Sequence, residues 1–233
     1  MKCATGEVHV WRIALDSPVI SMKTLEATLS DEEREKANGF RLAQIRERWI
    51  AARGALRYIL ATYAGSKPSS LVFKTGPYGK PHLSWPVIKI PFNLSHTGSL
   101  ALLGISSEGR VGVDAEFIHS IVELEELSRR LFAAPEADEI MALAPEARLA
   151  AFFACWTRKE AFVKALGEGL HVPIDQFRVT VRAEEPPRLV SVGWNESSRW
   201  SLADVGEASV AATIAVDWLA PTIRRFEFAA CSG

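Results

Sequence analysis

The sequence predicts an α+β fold. Three observations carry that expectation. Residues Val8–Ala14 alternate apolar and polar side chains like a strand. Two long apolar stripes at helical spacing lie at about 43–63 and 146–166, one in each half of the chain. Each half also holds strand runs, such as Phe92–Ser95 beside Leu100–Ser106, that suit antiparallel pairing.

The elements follow in order. Ser30 and Glu33 form an S-x-x-E capping box that opens a helix near 31–38. In the 43–63 helix, Ile45, Trp49, Ala52, Leu56, Ile59 and Tyr63 share one stripe, with Arg48 and Arg53 at its flanks. Gly65–Pro68 ends that helix. A strand at 70–74 leads to the turn Gly76-Pro77-Tyr78-Gly79-Lys80-Pro81. The pair Phe92–Ser95 and Leu100–Ser106 precedes a break at Gly109 and a strand at Val111–Phe117. Helices are expected at about 121–132, 135–143 and 146–166, the last ending at Gly167. Gln176–Arg182, Trp200–Ala203, Ser209–Val216 and Ile223–Phe228 read as strands.

The chain has 233 residues, of which 48% are hydrophobic and 24% charged, which argues against disorder or a fibrous repeat. That length allows one large domain or two smaller ones. The start of the chain lacks the basic-then-apolar order of a signal peptide, and apolar runs such as Leu149–Trp156 are too short for a membrane helix. Cys3, Cys155 and Cys231 are scattered without metal spacing, so a reducing, cytoplasmic setting is expected. Cys155, among Phe152, Phe153 and Trp156, is expected to be a buried thiol. The net charge of −1 argues against nucleic-acid binding. It is unevenly spread: residues 1–108 sum to +5 and residues 109–233 to −6. One half suits anions, the other cations.

Four places concentrate chemistry. On the Val111–Phe117 strand, Asp114 and Glu116 point the same way, two carboxylates on one face. Such a pair is costly unless a cation joins it, and hard oxygen ligands suit Mg²⁺ or Mn²⁺. The alternative is a solvated strand face. On the 146–166 helix, Glu160 falls within about 40° of Leu149, Phe153 and Trp156, inside the apolar stripe, with Lys164 one turn on. A carboxylate there must be paired, protonated or metal-bound; a structural Glu160–Lys164 pair is the simpler alternative. His96, in Asn93-Leu94-Ser95-His96-Thr97-Gly98, can meet an anion or be structural, and Lys80 sits in a turn that can be merely solvated. The basic run from Arg34 to Arg57 is diluted by acids. P-loop, GxGxxG, GxSxG and HExxH motifs are absent.

In this order, Gly79-Lys80-Pro81, Phe92–Gly98, Gly112-Val113-Asp114-Ala115-Glu116 and Trp156-Thr157-Arg158-Lys159-Glu160-Ala161-Phe162-Val163-Lys164 resemble the 4′-phosphopantetheinyl transferases of the surfactin-synthetase-activating type. The likeness covers roughly residues 30–180. It implies transfer of the phosphopantetheine arm of coenzyme A to a serine of an apo acyl, peptidyl or aryl carrier protein, releasing adenosine 3′,5′-bisphosphate. It implies Mg²⁺ held by Asp114, Glu116 and Glu160, with Glu160 as base and Lys164 at the leaving phosphate. Arg48 and His96, with Lys36, are implied at the 3′-phosphate, and Lys80 beside the adenine. Glu136 matches a position sometimes given a catalytic or metal role. The chain departs from the family at Glu33, where relatives often carry a basic residue, which weakens the contribution expected of that helix. The family also contains a form of about half this length that acts as an oligomer. The resemblance thus implies a monomer of two similar lobes, 1–108 and 109–233, in pseudo-two-fold arrangement, each a mainly antiparallel sheet on a long helix, with the site in the cleft. The competing readings are another metal-dependent phosphoryl-transfer enzyme and a non-catalytic module that binds coenzyme A or a carrier.

Overall fold

The computed structural model describes residues 1–193 and 199–229. Strand β1 (Glu7–Ala14) is followed by helices α1 (Met22–Ala27), α2 (Asp31–Asn38) and α3 (Ala43–Ala64). The hairpin β2 (Val72–Thr75) and β3 (Pro81–Trp85) leads to β4 (Phe92–Thr97), β5 (Leu100–Ser106) and β6 (Val111–Phe117). Helices α4 (Leu124–Leu131), α5 (Ala134–Ala142) and α6 (Pro145–Leu166) precede a second hairpin, β7 (Phe177–Val179) and β8 (Leu189–Val192). The chain continues through β9 (Ser201–Asp204), β10 (Val210–Val216) and β11 (Thr222–Glu227).

Two sheets result. The first runs β11-β1-β5-β4 and the second β6-β10-β9. All pairings are antiparallel except β1 with β11, which is parallel. The α+β expectation therefore holds. Every residue of β5 is buried, because both faces of the first sheet are covered. Ala101, Leu103 and Ile105 pack toward α3 with Leu56 and Leu60. Leu100 and Leu102 point the other way, against Val113, Ile214 and Val216 of the second sheet. The far face of the second sheet is closed by α6, whose Phe162 and Val163 join a third apolar cluster with Phe177 and Trp200. The layers are thus helix, sheet, sheet, helix.

Several sequence expectations shift in position. The box at Ser30 and Glu33 caps α2 as read, with Ser30 Oγ accepting from Glu33 N and Glu33 Oε2 from Ser30 N. On α3 the stripe is wider than expected and Ile45 lies outside it, 46% exposed, because the first turns of the helix project beyond the core. The expected 70–74 strand begins at Val72, after a 3-10 turn at Pro68–Ser70. Strands β3 and β8 have no counterpart in the reading. The last strand departs most: β11 leaves the second sheet and pairs with β1, so residues 222–227 lie in the sheet built from residues 7–106. Cys155 is fully buried, and burial pushes its thiol well above the ordinary range. Cys231 lies outside the described residues.

Candidate active site

The site starts from a missing side chain. At Gly112 a Cβ would lie 2.1 Å from the carbonyl oxygen of Ala161, so only glycine lets the backbone of α6 rest directly on β6. That close crossing sets Glu160 and Lys164 of α6 over the strand that carries Asp114 and Glu116. Lys164 Nζ donates to Asp114 Oδ1 at 2.5 Å and to Ser95 Oγ at 3.1 Å. Ser95 Oγ in turn donates to Asp114 Oδ1 at 3.0 Å.

Strands β4 and β6 belong to different sheets. Side chains of β4 join them in place of a backbone ladder. Asn93 Oδ1 accepts from Val113 N at 2.8 Å, and Thr97 Oγ1 donates to Glu116 Oε2 at 3.0 Å while accepting from Phe117 N. Asn93, Ser95 and Thr97 share one face of β4 by the period of two, which aims all three at β6. The intervening Leu94 and His96 face the opposite side.

The carboxylates are under electrostatic load. Glu160 is raised above the usual carboxylate range, first by burial and then by the charge of Asp114, with Lys164 opposing. Burial raises Glu116 too, against the Thr97 hydrogen bond and with added repulsion from Asp114. Asp114 is 2% exposed, and its Oδ2 is buried with no hydrogen-bond partner among the described residues. An orphaned carboxylate oxygen beside two destabilised carboxylates is the chemistry of a divalent-cation site with hard oxygen donors. Asp114, Glu116 and Glu160 therefore fit Mg²⁺. They are not a group whose donor atoms all lie within 4.8 Å of one another, so a side chain must rotate to close around an ion.

On the other side of β4 lies a cavity of about 1120 Å³. Its lining sets the cations Lys36, Arg53, Arg57 and Lys74 beside the acids Asp31, Glu32 and Glu33, with Trp49, Phe73 and His96 among them. Partial desolvation, and then the charge of Lys164, lower the pKa of His96 at the rim. Lys36 places its ammonium 5.9 Å from the Trp49 ring centre. Both residues line the same cavity.

Three other residues singled out from the sequence lie outside this cavity. Arg48 is absent from the cavity wall and makes a two-pronged bond to Asp16, at 2.6 and 2.7 Å. Lys80 turns away from the cavity. Its Nζ donates to the carbonyls of Val111, Lys164 and Ala165 at 2.8, 2.6 and 3.2 Å, which uses all three donors. The last turn of a helix leaves carbonyls such as those of Lys164 and Ala165 unpaired, so Lys80 caps α6 beside the left-handed Gly167 and ties it to the start of β6 at Val111. Burial pulls Lys80 down to about 8. Glu136 is wholly buried, bonded to Lys159 Nζ at 2.7 Å and to the amides of Val179 and Ala133 at 2.7 and 3.0 Å. Those bonds engage both of its oxygens, away from the Asp114–Glu116–Glu160 cluster.

The residue the sequence reading passed over is Arg53. Its Nε donates to Glu33 Oε1 at 2.5 Å and its guanidinium lies 4.4 Å from the Phe73 ring centre, facing the cavity. Glu33 also receives Arg57 Nε at 2.7 Å, and Arg57 is anchored to the Pro68 and Leu71 carbonyls. Burial alone would raise Glu33, but the bonds and charges of Arg57, Arg53 and Ser30 N outweigh it and hold its pKa low. The acid that looked like a loss of phosphate affinity instead fixes two arginines. The available signal was their i, i+4 spacing beside the core residues Ala52 and Leu56.

A layered α+β protein with an arginine- and lysine-bearing cavity on one side of a strand and a carboxylate–lysine cluster on the other has the parts of a phosphoryl-transfer enzyme. The family model for the 4′-phosphopantetheinyl transferase superfamily matches residues 110–215, which include Asp114, Glu116, Glu160 and Lys164. The chain is 35% identical over 215 residues to the 4′-phosphopantetheinyl transferase HetI of Nostoc sp. (strain PCC 7120), covering 91% of this chain and 88% of that protein. It is 26% identical over 179 residues to the 4′-phosphopantetheinyl transferase Sfp of Bacillus subtilis (strain 168), 76% of this chain and 78% of the relative. It is 38% identical over 122 residues to AcpT of Escherichia coli (strain K12), 52% and 58% of the two chains. The chain belongs to the 4′-phosphopantetheinyl transferase superfamily.

Proposed function

We propose that this protein transfers the 4′-phosphopantetheine arm of coenzyme A to a serine hydroxyl of an apo carrier protein. The likeness to HetI across 91% of the chain, around an intact Asp114, Glu116, Glu160 and Lys164, carries the reading. The test incubates the protein with coenzyme A, Mg²⁺ and a panel of apo acyl, peptidyl and aryl carriers. The expected result is a phosphopantetheine mass gain on at least one carrier. No gain on any member of the panel sinks the proposal.

In this reading the adenosine end of coenzyme A, with its 3′-phosphate, occupies the cavity beside β4 against His96, Lys36 and Arg53. The serine oxygen forms a bond to the phosphorus that carries pantetheine. The bond from that phosphorus to the adenosine 3′,5′-bisphosphate oxygen breaks. Glu160 takes the serine proton, and Lys164 stabilises or protonates the leaving phosphate. A divalent cation on Asp114 Oδ2, Glu116 and Glu160 would supply charge neutralisation at the pyrophosphate. Residues 1–108 and 109–233 are read as two related lobes of a monomer, residues 222–227 having returned to the first. The helix–sheet–sheet–helix layering supports that reading. Val122, 99% exposed between the site-bearing β6 and α4, fits an apolar contact for the carrier. A cytoplasmic location belongs to the same proposal; no helix among the described residues is long and apolar enough to cross a membrane.

Two further results are expected. Arg53→Gln should raise KM for coenzyme A about 10–100-fold, the equivalent of roughly 1.5–3 kcal/mol for a charged hydrogen bond, with kcat little changed. Steady-state kinetics with coenzyme A and with its 3′-dephospho form check this: the variant's penalty should vanish without the 3′-phosphate. A penalty equal for both substrates would remove Arg53 from that subsite. The second concerns pH. Glu160 acts when deprotonated, and burial and Asp114 raise its pKa. At limiting Mg²⁺, activity should therefore fall, as pH drops, at a point above the usual carboxylate range. A cation favours the ionised form, so increasing Mg²⁺ should move that limb to lower pH. A limb that stays put across Mg²⁺ concentrations would separate Glu160 from the metal.

A further inference from the structure

A second cluster of ligand-type side chains lies away from the active site. Cys3 Sγ, a carboxylate oxygen of Glu7 and a ring nitrogen of His9 all lie within 4.8 Å of one another. Glu7 and His9 share one face of β1 by the period of two. The turn closed by Glu7 N on Ala4 O brings Cys3 back over them. In the first sheet, His9 pairs with Ile105 of β5, and Ile105 pairs with Phe92 at the start of β4. Ser95 and His96 pair with Leu102 and Ala101, toward the other end of β5. The cluster and the carboxylate site are thus separated along the sheet.

We propose that Cys3, Glu7 and His9 form a site for a thiophilic divalent cation, Zn²⁺ in the first place. The set offers one thiolate, one imidazole and one carboxylate, which leaves a fourth tetrahedral position for water. His9 Nε2 and Glu7 Oε2 are 3.1 Å apart. Two ligands on one tetrahedral zinc, each at about 2.0–2.1 Å, stand about 3.3 Å apart. The surrounding groups orient the donors as outer-shell partners do. Tyr63 Oη meets His9 Nδ1 at 2.6 Å and itself accepts from Trp11 Nε1 at 2.9 Å. Arg224 Nε donates to Glu7 Oε1 at 2.5 Å, leaving Oε2, which accepts from Ala4 N at 3.0 Å, toward the other two donors.

The proton balance is simple. On binding, Cys3 gives up its thiol proton, and the ring proton of neutral His9 moves from Nε2 to Nδ1, facing Tyr63 Oη. One proton leaves per ion. The ion would fasten the first residues of the chain to β1 and, through Arg224, to β11. It therefore stabilises the folded state by mass action without taking part in transfer.

Co²⁺ serves as a spectroscopic stand-in for Zn²⁺. Titration of the full chain should give a thiolate-to-cobalt charge-transfer band that saturates at one equivalent and is bleached by Zn²⁺. Cobalt held by Asp114, Glu116 and Glu160 has oxygen ligands alone and gives no such band, so the two sites are told apart. Cys3→Ser should abolish the band while leaving carrier modification in Mg²⁺ intact. Tyr63→Phe should weaken Zn²⁺ affinity about 10–100-fold. The absence of the band in the wild-type chain overturns the proposal, and so does a band that survives in Cys3→Ser.

Discussion

Asp114→Ala is expected to lower kcat/KM for carrier modification by at least about 10²–10³-fold, the scale seen when one preorganised electrostatic contact to a transition state is removed, roughly 2.7–4 kcal/mol. The size follows from what the side chain does in this chain. Asp114 is the one carboxylate of the cluster with an oxygen both buried and unpartnered, so it is the donor with most to gain from a cation. Its other oxygen is the point on which Lys164 and Ser95 converge. Removing the carboxylate strips the metal of a ligand and releases the lysine at once. The fold should survive, because the Lys164 side chain is 30% exposed and can turn to water once its partner is gone. Circular dichroism and a thermal melt separate that case from unfolding. Asp114→Asn keeps the shape and loses the charge, and should be nearly as inactive. Ser95→Ala leaves the carboxylate but removes a bond that orients it, so a smaller loss, about 10–100-fold, is expected. Full activity in Asp114→Asn would refute the metal assignment outright.

Much of this arrangement was legible in the sequence. The strand Val111–Phe117 appears with the bounds expected of it, because Val111, Val113 and Ala115 alternate with residues of another character. Helix α6 begins one residue early and ends as read at Gly167, since glycine takes the left-handed cap that other residues resist. What escaped the reading depends on partners far along the chain. Arg48 and Arg53 both flank the α3 stripe, and periodicity does not choose between them. The choice is made by Asp16, 32 residues before Arg48, and by Glu33, 20 residues before Arg53. Lys80 looks like a turn residue because the carbonyls it caps lie more than 80 positions away. Strands β3 and β8 are short and carry prolines within or beside them, which weakens any strand signal. The parallel pairing of β11 with β1 joins opposite ends of the chain, and no local pattern encodes it.

The largest expected loss of stability falls on Lys159→Met. In the Trp156–Lys164 segment, alternate duties are divided along one helix. Glu160 and Lys164 face the β6 carboxylates, while Arg158 and Lys159 point into the protein and bind the segments after α6. Arg158 donates to the carbonyls of Thr180, Arg182 and Glu185. Lys159 donates to the carbonyls of Ile174 and Phe177 and pairs with Glu136, and neither charged side chain has any exposure. Removing one member leaves the other as an uncompensated charge away from water, which costs about 3–5 kcal/mol. For a chain of this size that corresponds to a fall in Tm of roughly 6–20 °C. Glu136→Gln should destabilise for the same reason, although it keeps an oxygen for the Val179 amide. The double variant Glu136→Leu/Lys159→Met removes both charges and should recover part of the loss, because an ion pair replaced by apolar groups of similar volume is often neutral. Thermal melts of the wild type, Glu136→Leu, Lys159→Met and the double variant give the coupling energy directly. The same variants decide what Glu136 is for. If it only holds α5 against α6, the folded fraction of Glu136→Gln transfers phosphopantetheine at close to the normal rate below its Tm. A kcat reduced by about 10²-fold or more in folded protein would restore the catalytic role that the sequence resemblance implied.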